Sequence, residues 1–453
     1  MQKKGQNNRL QLITDFPAQI HAGLQYAPPD EIEKVQTRLF LEHLDFTLSN
    51  SPFYQDSFKA AGITIHDIRT MADITAIPLT EKSDLENTEQ FSCADPKEIV
   101  DICLTSGTSG AQATIIPQTA SDLSRLAYNE QIAFGMAGIT ESDTLIVCAA
   151  IDRCFMAGLA YFMGATRLSA AVVRAGSGSA AQLWELARRT KATAMVGVPS
   201  LMYKIGSFAL EQGYDPAASS ITKLIAIGEP TRDASLSLLP ISQKLEAMWN
   251  ASVFSTYASS EMATTFCECQ ARAGGHLRPE MIVVEILDDQ GFPVPQGELG
   301  EVVVTPLGIT GMPLLRFRTG DLSYMIHKPC ACGRTTPRLA PISGRKHQML
   351  KFKGTTLFPN VILAALEGNE KFYGGYVEAR CNEDGTDRVT LVAALKDHPE
   401  NKSCTDAPRW MTEHLQAVLR VVPEIRIVPA QQVDSKVYQL NKTRKRITFF
   451  DLR

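Results

Sequence analysis

The sequence has no long apolar run near its start and no excess of positive charge. Lys3 and Lys4 are not followed by a hydrophobic stretch, so we expect neither a signal peptide nor a membrane anchor. The formal net charge is -4 at pH 7, which argues against a nucleic acid or an anionic membrane as partner, because both need a basic face. These two absences predict a cytoplasmic protein.

Cysteine is also sparse. Ten cysteines in 453 residues are too few for a disulfide scaffold. Six of them are scattered among apolar or loop residues, as ordinary thiols are: Cys93, Cys103, Cys148, Cys154, Cys381 and Cys404. The other four are clustered along the chain and call for a separate explanation.

The length of the chain predicts more than one domain. Composition is ordinary for a globular protein, with 44% hydrophobic and 21% charged residues. A single core stops growing near ~250–300 residues, so we expect a large domain and a small one. We predict residues 1–346 for the large domain and 347–453 for a small, mobile one. The sequence has no internal repeats and no low-complexity segment.

The apolar pattern predicts an α/β fold. Short apolar strands alternate with helices from 144 to 256, which indicates a largely parallel sheet covered on both faces. Ligands bind beyond the carboxyl ends of such strands, so the loops there should border one crevice. From 282 the period changes to two, which predicts antiparallel hairpins, and after 344 a mixture of helices and strands predicts a small α+β lid. A helix is expected near the start, over 35–48.

Two polar stretches follow apolar runs. Arg318-Thr-Gly-Asp321 predicts a turn with a guanidinium and a carboxylate on either side of a glycine, which suits a ribose diol and a phosphate. Asp321 would accept hydrogen bonds from the ribose hydroxyls, although a surface Arg–Asp pair is the alternative. Leu104-Thr-Ser-Gly-Thr-Ser-Gly110 could wrap a polyphosphate with backbone N–H groups and hydroxyls. A plain surface turn is the alternative there.

Four motifs in a fixed order resemble the adenylate-forming acyl-activating enzymes, in particular the phenylacetate-CoA ligase family. They are the loop 104–110, Tyr257-Ala-Ser-Ser-Glu261, Arg318-Thr-Gly-Asp321 and Gly344-Arg345. The resemblance runs from about Pro78 to the C-terminus, and Ile77-Pro-Leu-Thr-Glu-Lys82 looks like a further family segment. It implies an ATP-dependent ligase that forms an acyl-adenylate from an aryl or arylacetic acid and then a coenzyme A thioester. The alternatives are transfer to a carrier protein and a non-catalytic, zinc-stabilised nucleotide-binding protein.

The resemblance also assigns residues to the nucleotide. Gly228-Glu-Pro230 would contact adenine, Tyr257 would stack near adenine or the acyl group, and Glu261 would hold Mg²⁺ as part of catalysis, since carboxylate oxygen suits that ion. The chain departs from the family after the loop, where Ala111-Gln112 stands in place of a frequent lysine and proline. The full ATP/AMP set is Thr105, Ser106, Gly107, Thr108, Ser109, Gly110, Gly228, Glu229, Pro230, Tyr257, Ala258, Ser259, Ser260, Asp321 and Arg345.

Two lysines are the further catalytic candidates that the resemblance implies. Lys445 would close onto the phosphate and the acyl carboxylate during adenylation, with Lys442 as the alternative, and Lys351 would face the crevice in another orientation of the lid. His347 occupies the pivot, where the family more often has Asp or Lys. The partners implied are a small carboxylic acid, ATP and coenzyme A, with no nucleic acid and no membrane. The resemblance also allows a homodimer.

Three cysteines and one histidine predict a structural zinc site. Cys269, His276, Cys330 and Cys332 supply three sulfurs and an imidazole, which satisfy tetrahedral Zn²⁺. Cys267 is the alternative to Cys269, which we prefer because its spacing to His276 resembles the family pattern. With four protein ligands the site would be closed, and therefore structural.

Overall fold

The computed structural model describes residues 16–105, 113–352, 355–367, 369–382, 387–396, 407–438 and 446–453. The chain forms two compact units. The first comprises Met1–Ser237, Lys244–Thr319 and Ser323–Pro341, and the second comprises Leu238–Gln243, Gly320–Leu322 and Ile342–Arg453.

The described helices have the following bounds: α1 Pro29–Asn50, α2 Pro52–Ala61, α3 Ala120–Met136, α4 Met156–Arg167, α5 Ala180–Arg189, α6 Pro199–Glu211, α7 Pro240–Trp249, α8 Pro359–Glu367, α9 Arg409–Leu419 and α10 Ala430–Val437. The strands are β1 Ile99–Leu104, β2 Ile115–Thr119, β3 Thr144–Val147, β4 Ala171–Arg174, β5 Ala194–Gly197, β6 Lys223–Ala226, β7 Ser252–Ser259, β8 Thr264–Cys267, β9 Gly275–His276, β10 Ile282–Leu287, β11 Gly300–Pro306, β12 Phe317–Ser323, β13 Met325–Ile326, β14 Arg338–Leu339, β15 Gly344–Arg345, β16 Leu350–Phe352, β17 Thr355–Leu357, β18 Phe372–Cys381, β19 Asp387–Leu395, β20 Glu424–Ile427 and β21 Phe449–Asp451.

A six-stranded sheet in the order β4-β3-β5-β6-β7-β8 organises the first unit. Its strands are parallel except β8, which runs antiparallel to β7. The chain passes from β3 to β4, on one side of β3, and then returns to β5 on the other side of β3. The direction in which strands are added to the sheet therefore reverses between β3 and β5. At such a switch point the loops after neighbouring strands leave a crevice.

Helices cover both faces of this sheet, because its strands are apolar on both sides. Trp184 of α5 and Trp249 of α7 pack on one face in a cluster with Met195. Phe134 of α3 and Tyr161 of α4 pack on the other face. Burial on both sides explains why these strands are continuous apolar runs rather than alternating ones. The parallel sheet inferred from the sequence is therefore confirmed.

Arg125 of α3 joins three separate segments of the first unit. Its guanidinium is fully buried and donates to the backbone carbonyls of Leu307 and Met281 at 2.7 Å and of Ala263 at 2.5 Å. It also donates to the hydroxyl of Thr264 at 2.9 Å. Because three carbonyl groups and a hydroxyl satisfy these donors, the buried guanidinium of Arg125 stabilises the interior.

Antiparallel strands follow the large sheet in the chain. β10 pairs with β11 from Ile282↔Pro306 to Leu287↔Glu301, as the period of two predicts. β12 lies next to β11, and its residues Gly320–Leu322 belong to the second unit, where Asp321 and Leu322 pair with β15. The turn predicted at 318–321 is wrong, because these residues lie inside β12. Pairing on both edges of the strand overrides the local preference of glycine and aspartate for turns.

The second unit contains a four-stranded sheet in the order β20-β19-β18-β21. β18 and β19 are antiparallel, whereas β20 and β21 each run parallel to their neighbour. Leu363 of α8 and Leu415 of α9 belong to the apolar cluster on one face, and Val433 of α10 belongs to a second cluster that includes Tyr376. This arrangement confirms the prediction of an α+β part after residue 344. The boundary predicted between 346 and 347 stays a prediction.

None of the helices in the described part of the chain combines the length and the apolar character that crossing a membrane requires.

Candidate active site and metal centre

The base of the predicted phosphate loop is closed by two hydrogen bonds. The N–H of Thr105 donates to the carbonyl of Thr114 at 3.0 Å, and the N–H of Thr114 donates to the Thr105 hydroxyl at 3.0 Å. Thr105 is buried, and the antiparallel pair β1 and β2 leads into and out of the loop. The predicted loop residues Ser106, Gly107, Thr108, Ser109 and Gly110 lie outside the described residues.

The turn after β6 carries Gly228, Glu229 and Pro230. Gly228 has a φ of +71°, a conformation that favours glycine. The side chain of Glu229 accepts hydrogen bonds from Ser200, at 2.6 Å from the hydroxyl and 2.9 Å from the backbone N–H. Gly228 and Pro230 are exposed, so their backbone groups are available to a ligand.

Tyr257 and Glu261 lie at and beyond the carboxyl end of β7. The predicted turn begins later than expected, because Tyr257, Ala258 and Ser259 belong to the strand, and the turn contains Ser260 and Glu261. The aromatic ring of Tyr257 stacks on Phe266 of β8, with 5.9 Å between the ring centroids. The strand pairing of β7 with β8 therefore orients this ring.

Glu261 forms an ion pair that the sequence did not reveal. The Nζ atom of Lys82 lies 3.3 Å from Oε1 of Glu261. The side chain of Glu261 is only 8% exposed, whereas that of Lys82 is 47% exposed. The carboxylate is therefore shielded from water on most sides, with the ammonium group over it.

Asp321 and Arg345 are brought together in the second unit. They are direct partners in the antiparallel pairing of β12 with β15. The Nε atom of Arg345 donates to Oδ1 of Asp321 at 3.2 Å. The Asp321 side chain is 12% exposed and the Arg345 side chain 37%, so the acid is largely buried and the base reaches solvent. The sequence analysis assigns Asp321 and Arg345 to the nucleotide, and it also places the guanidinium of Arg318 near the ligand.

Arg318 is committed to other carboxylates. Its Nη2 atom lies 2.6 Å from Glu301 and its Nη1 atom lies 3.2 Å from Glu81. The Arg318 side chain is 14% exposed. The structure pairs the Arg318 guanidinium with the buried Glu301 of β11, and the prediction that it lies beside a ligand stays a prediction. Arg345 is the arginine that accompanies Asp321.

Lys351 and the pivot residue His347 lie on separate elements of the second unit. Lys351 lies in the middle of the short strand β16 and is exposed, and His347 is exposed in the turn that precedes this strand. The backbone carbonyl of His347 accepts from Arg453 at 3.0 Å. Lys445 and its alternative Lys442 lie outside the described residues.

The four predicted zinc ligands converge. One ligand atom from each of Cys269, His276, Cys330 and Cys332 lies within 4.8 Å of all the others. The Sγ atoms of Cys269 and Cys330 are 3.6 Å apart, and Sγ of Cys332 lies 3.3 Å from Nε2 of His276. Zn–S bonds of ~2.3 Å place two sulfurs of one tetrahedron about 3.8 Å apart, so the spacing fits zinc. Cys267 instead lies in the apolar cluster that also contains Phe134 of α3 and Tyr161 of α4.

Protonation at this cluster also suits a metal. Burial lowers the pKa of His276 to about 4, with help from Arg334 and Arg338, so its imidazole is neutral at pH 7. Its Nδ1 atom lies 3.2 Å from the hydroxyl of Thr336, which orients Nε2 toward the thiols. Burial opposes ionisation of Cys332, but hydrogen bonds with Arg334, Cys330 and Cys269 together outweigh it and lower the pKa of that thiol to about 7.

Three neighbouring side chains of α4, those of Tyr161, Phe162 and Met163, differ in burial. Tyr161 and Met163 are buried, and Tyr161 packs against Phe134 in the core. Phe162 is half-buried and lies below the guanidinium of Arg174, 5.5 Å from its ring centroid. Tyr161 therefore belongs to the core of the first unit.

Sequence comparison places the chain in a family. The family model described as AMP-binding enzyme matches residues 37–311. The chain therefore belongs to the AMP-binding enzyme family. It is also 27% identical over 350 residues to a phenylacetate-coenzyme A ligase of Thermus thermophilus, covering 76% of this chain and 77% of the relative. The corresponding ligase of Escherichia coli is 28% identical over 348 residues, with coverage of 74% and 76%.

Structural comparison agrees with the sequence. A crystal structure of 2-hydroxyisobutyryl-CoA ligase in the postadenylation state, in complex with R3-HIB-AMP, covers 95% of this chain and 92% of its own. Its TM-score is 0.82 at 23% sequence identity. At this identity the likeness concerns the fold. The fold class and the resemblance to the phenylacetate-CoA ligase branch of the adenylate-forming enzymes are both confirmed.

Proposed function

We propose that the protein is an AMP-forming acid–CoA ligase that activates an aryl or arylacetic acid. The observation that carries the proposal is the pairing of Asp321 with Arg345 across β12 and β15, in a chain of the AMP-binding enzyme family. A buried acid next to an exposed base suits a ribose diol and a phosphate on one ligand. The coenzyme A ligases among its relatives support the same reaction.

The reaction has two steps. A carboxylate oxygen of the acid attacks the α-phosphorus of ATP, so that an O–P bond forms and pyrophosphate leaves with the electron pair of the broken bond. The thiolate of coenzyme A then attacks the acyl carbonyl carbon, and AMP leaves. The protein orients the reactants and stabilises the charge that develops on phosphorus and on the carbonyl oxygen.

Each candidate residue has a role in this scheme. Asp321 accepts hydrogen bonds from the ribose hydroxyls, and Arg345 binds the ribose or the phosphate. The backbone of Gly228 and Pro230 contacts adenine, and the ring of Tyr257 stacks beside adenine or the acyl group. Thr105 and residues 106–110, which lie outside the described residues, would bind the phosphates through N–H groups and hydroxyls.

The lysines of the C-terminal part serve different steps. We assign Lys445 to the adenylation step, where a cation offsets charge on the phosphate, and Lys351 to the thiol-transfer step. Residues 347–453 then form a mobile lid that turns about His347 between the two steps. Lys445→Ala should slow adenylate formation while leaving thioester formation from a supplied acyl-adenylate nearly unchanged, which measurement of the two half-reactions tests.

Two metal ions belong to this proposal. Glu261 offers the hard carboxylate oxygen that Mg²⁺ prefers, and the ion would neutralise charge on the phosphates. Cys269, His276, Cys330 and Cys332 would hold Zn²⁺ in a closed and therefore structural site. Thiols that stay available to a metal fit a reducing compartment, so we also propose a cytoplasmic location. A homodimer remains part of the hypothesis, and gel filtration tests it.

A screen of carboxylic acids tests the activity. Purified protein is incubated with ATP, Mg²⁺, coenzyme A and one acid at a time, and AMP and acyl-CoA are measured by chromatography. We expect both products in equal amounts with at least one aryl or arylacetic acid. AMP formation that requires an acyl carrier protein instead of coenzyme A would favour the carrier-loading alternative. No AMP with any acid would favour a non-catalytic nucleotide-binding protein.

A further inference from the structure

The ammonium group of Lys82 covers the candidate magnesium ligand. Its Nζ atom lies 3.3 Å from Oε1 of Glu261, whose side chain is 8% exposed. A carboxylate so far from water needs a cation or a hydrogen-bond donor beside it. The lysine side chain is 47% exposed and ends a flexible four-carbon stem, so it can exchange one anionic partner for another.

The position of Lys82 is built into the fold. Two residues before it, the N–H of Thr80 donates to the carbonyl of Arg316 at 3.0 Å, and the carbonyl of Thr80 accepts from the N–H of Arg318 at 2.9 Å. The buried hydroxyl of Thr80 also donates to the carbonyl of Leu315 at 2.7 Å. These bonds attach the segment 77–82 to the beginning of β12, so the lysine is delivered to the same place by long-range pairing.

The segment that carries Lys82 has a second support. The hydroxyl of Tyr54 donates to or accepts from that of Thr80 at 2.9 Å, and it also accepts from the N–H of Leu315 at 2.8 Å. Asp84 fixes the other side of the segment, because its carboxylate accepts from the N–H of Glu81 at 2.8 Å. These bonds fix the backbone on both sides of Lys82. Only its side chain is therefore able to move between partners.

The predicted phosphate loop has no cationic side chain of its own. Residues 105–112 read Thr-Ser-Gly-Thr-Ser-Gly-Ala-Gln, without a lysine, arginine or histidine. ATP brings several negative charges, and a second anion such as Glu261 close to them is repulsive unless a cation lies between. We propose that Lys82 supplies this cation, by leaving Glu261 and binding the β- and γ-phosphate oxygens of ATP. This inference rests on the proposed function, in which Glu261 lies next to the phosphates.

Comparison of ATP with AMP tests the proposal, since AMP lacks the β- and γ-phosphates. Dissociation constants are measured by titration calorimetry for the wild type, Lys82→Gln and Lys82→Arg. We expect Lys82→Gln to bind ATP roughly tenfold or more weakly, because a hydrogen bond between charged groups is lost. AMP binding should stay unchanged, and Lys82→Arg should retain most of the ATP affinity. The control is Lys97→Gln, whose side chain is 85% exposed and paired with Asp95.

A kinetic arm separates this role from a structural one. The KM for ATP in pyrophosphate exchange should rise in Lys82→Gln, whereas thioester formation from a supplied acyl-adenylate should not change, because pyrophosphate has already left. Equal loss of ATP and AMP affinity, or no loss of ATP affinity, would overturn the proposal and leave Lys82 as a structural partner of Glu261. If Lys82→Gln does not fold, Lys82→Ala is measured instead, and an unchanged ATP affinity in that variant would also overturn the proposal. The binding measurements need no acid, so they remain decisive if the activity screen fails.

Discussion

Ser200 holds the carboxylate of Glu229 through two hydrogen bonds, one from its hydroxyl at 2.6 Å and one from its N–H at 2.9 Å. Ser200 lies in the first turn of α6, so the carboxylate satisfies an N–H group that the helix leaves unpaired and lies at the positive end of the helix dipole. The side chain of Glu229 is therefore engaged in the fold. The turn at Gly228 is positioned through it.

The contact between Ser200 and Glu229 leads to a prediction for the turn at residues 228–230, which we assign to adenine. Glu229→Ala removes the bond to α6, whose loss is worth about 1 kcal/mol by analogy with helix capping, or roughly a fivefold change in affinity. We expect ATP and AMP to be weakened equally, because both carry adenine. Calorimetric titration of both nucleotides measures this. A selective loss of ATP binding would contradict the assignment and place Glu229 near the phosphates.

Asp321→Ala should abolish both half-reactions while the fold stays intact. Ribose hydroxyls are present on ATP and on the acyl-adenylate, and a lost hydrogen bond to a charged group costs ~1.5–3 kcal/mol. Arg345, which lies 3.2 Å from Asp321, also loses its partner. Each half-reaction is measured separately, and circular dichroism checks the fold. Near-normal ATP affinity in this variant would show that the ribose is held elsewhere.

Cys332→Ser should reduce the zinc content of the purified protein and lower its Tm. The cluster with Cys269, His276 and Cys330 loses one ligand, and Tm falls by about 2–4 °C for each kcal/mol of lost stability in a domain of 150–250 residues. Metal analysis and thermal unfolding measure the two effects. Cys381→Ser is the control, because Cys381 is exposed and outside the cluster. A wild-type preparation without zinc would refute the site.

His43 predicts loss of stability in mild acid. It is buried in α1, its Nε2 atom lacks a hydrogen-bond partner among the described residues, and burial together with Arg125 lowers its pKa to about 3 from 6.5. The unfolded chain binds a proton at His43 more readily than the folded chain does. The stability that neutral His43 contributes is therefore present above pH 6.5 and is lost as pH falls toward 3, at about 1.4 kcal/mol per pH unit.

Urea unfolding of the wild type and of His43→Leu at several pH values tests this. The wild type should lose more free energy of unfolding than the variant between pH 6.5 and pH 5, by about 1.6 kcal/mol. Comparison with the variant cancels the contributions of all other titrating groups. Parallel curves for the two proteins would contradict the expected role of His43.

Much of the fold follows from apolar periodicity. The runs that end at Val147, Gly197 and Ala226 are apolar on both faces, which only a sheet covered on both sides requires. The order of these strands could not be predicted, because parallel connections of similar length allow several orders. The antiparallel addition of β8 was also missed, since its pairing with Tyr257 and its neighbours depends on tertiary contacts.

The candidate site was predicted to a similar degree. The zinc cluster was accessible because sulfur and imidazole ligands recur at short spacings, and the structure brings Cys269 rather than Cys267 into it. The strand around Gly320 was misread as a turn, because local preference gave way to pairing on both edges. Lys82 was not recognised as the partner of Glu261, since that contact depends on Thr80 pairing with a strand more than two hundred residues away.

Acid-dependent exchange of labelled pyrophosphate into ATP tests the central claim most directly. The purified protein is incubated with ATP, Mg²⁺, labelled pyrophosphate and a panel of aryl and arylacetic acids, without coenzyme A. Adenylate formation is reversible, so we predict that label enters ATP only when the accepted acid is present. Asp321→Ala should show no exchange under the same conditions. Absence of exchange with every acid in the panel, in wild-type protein that binds ATP, would contradict the assignment as an adenylate-forming ligase.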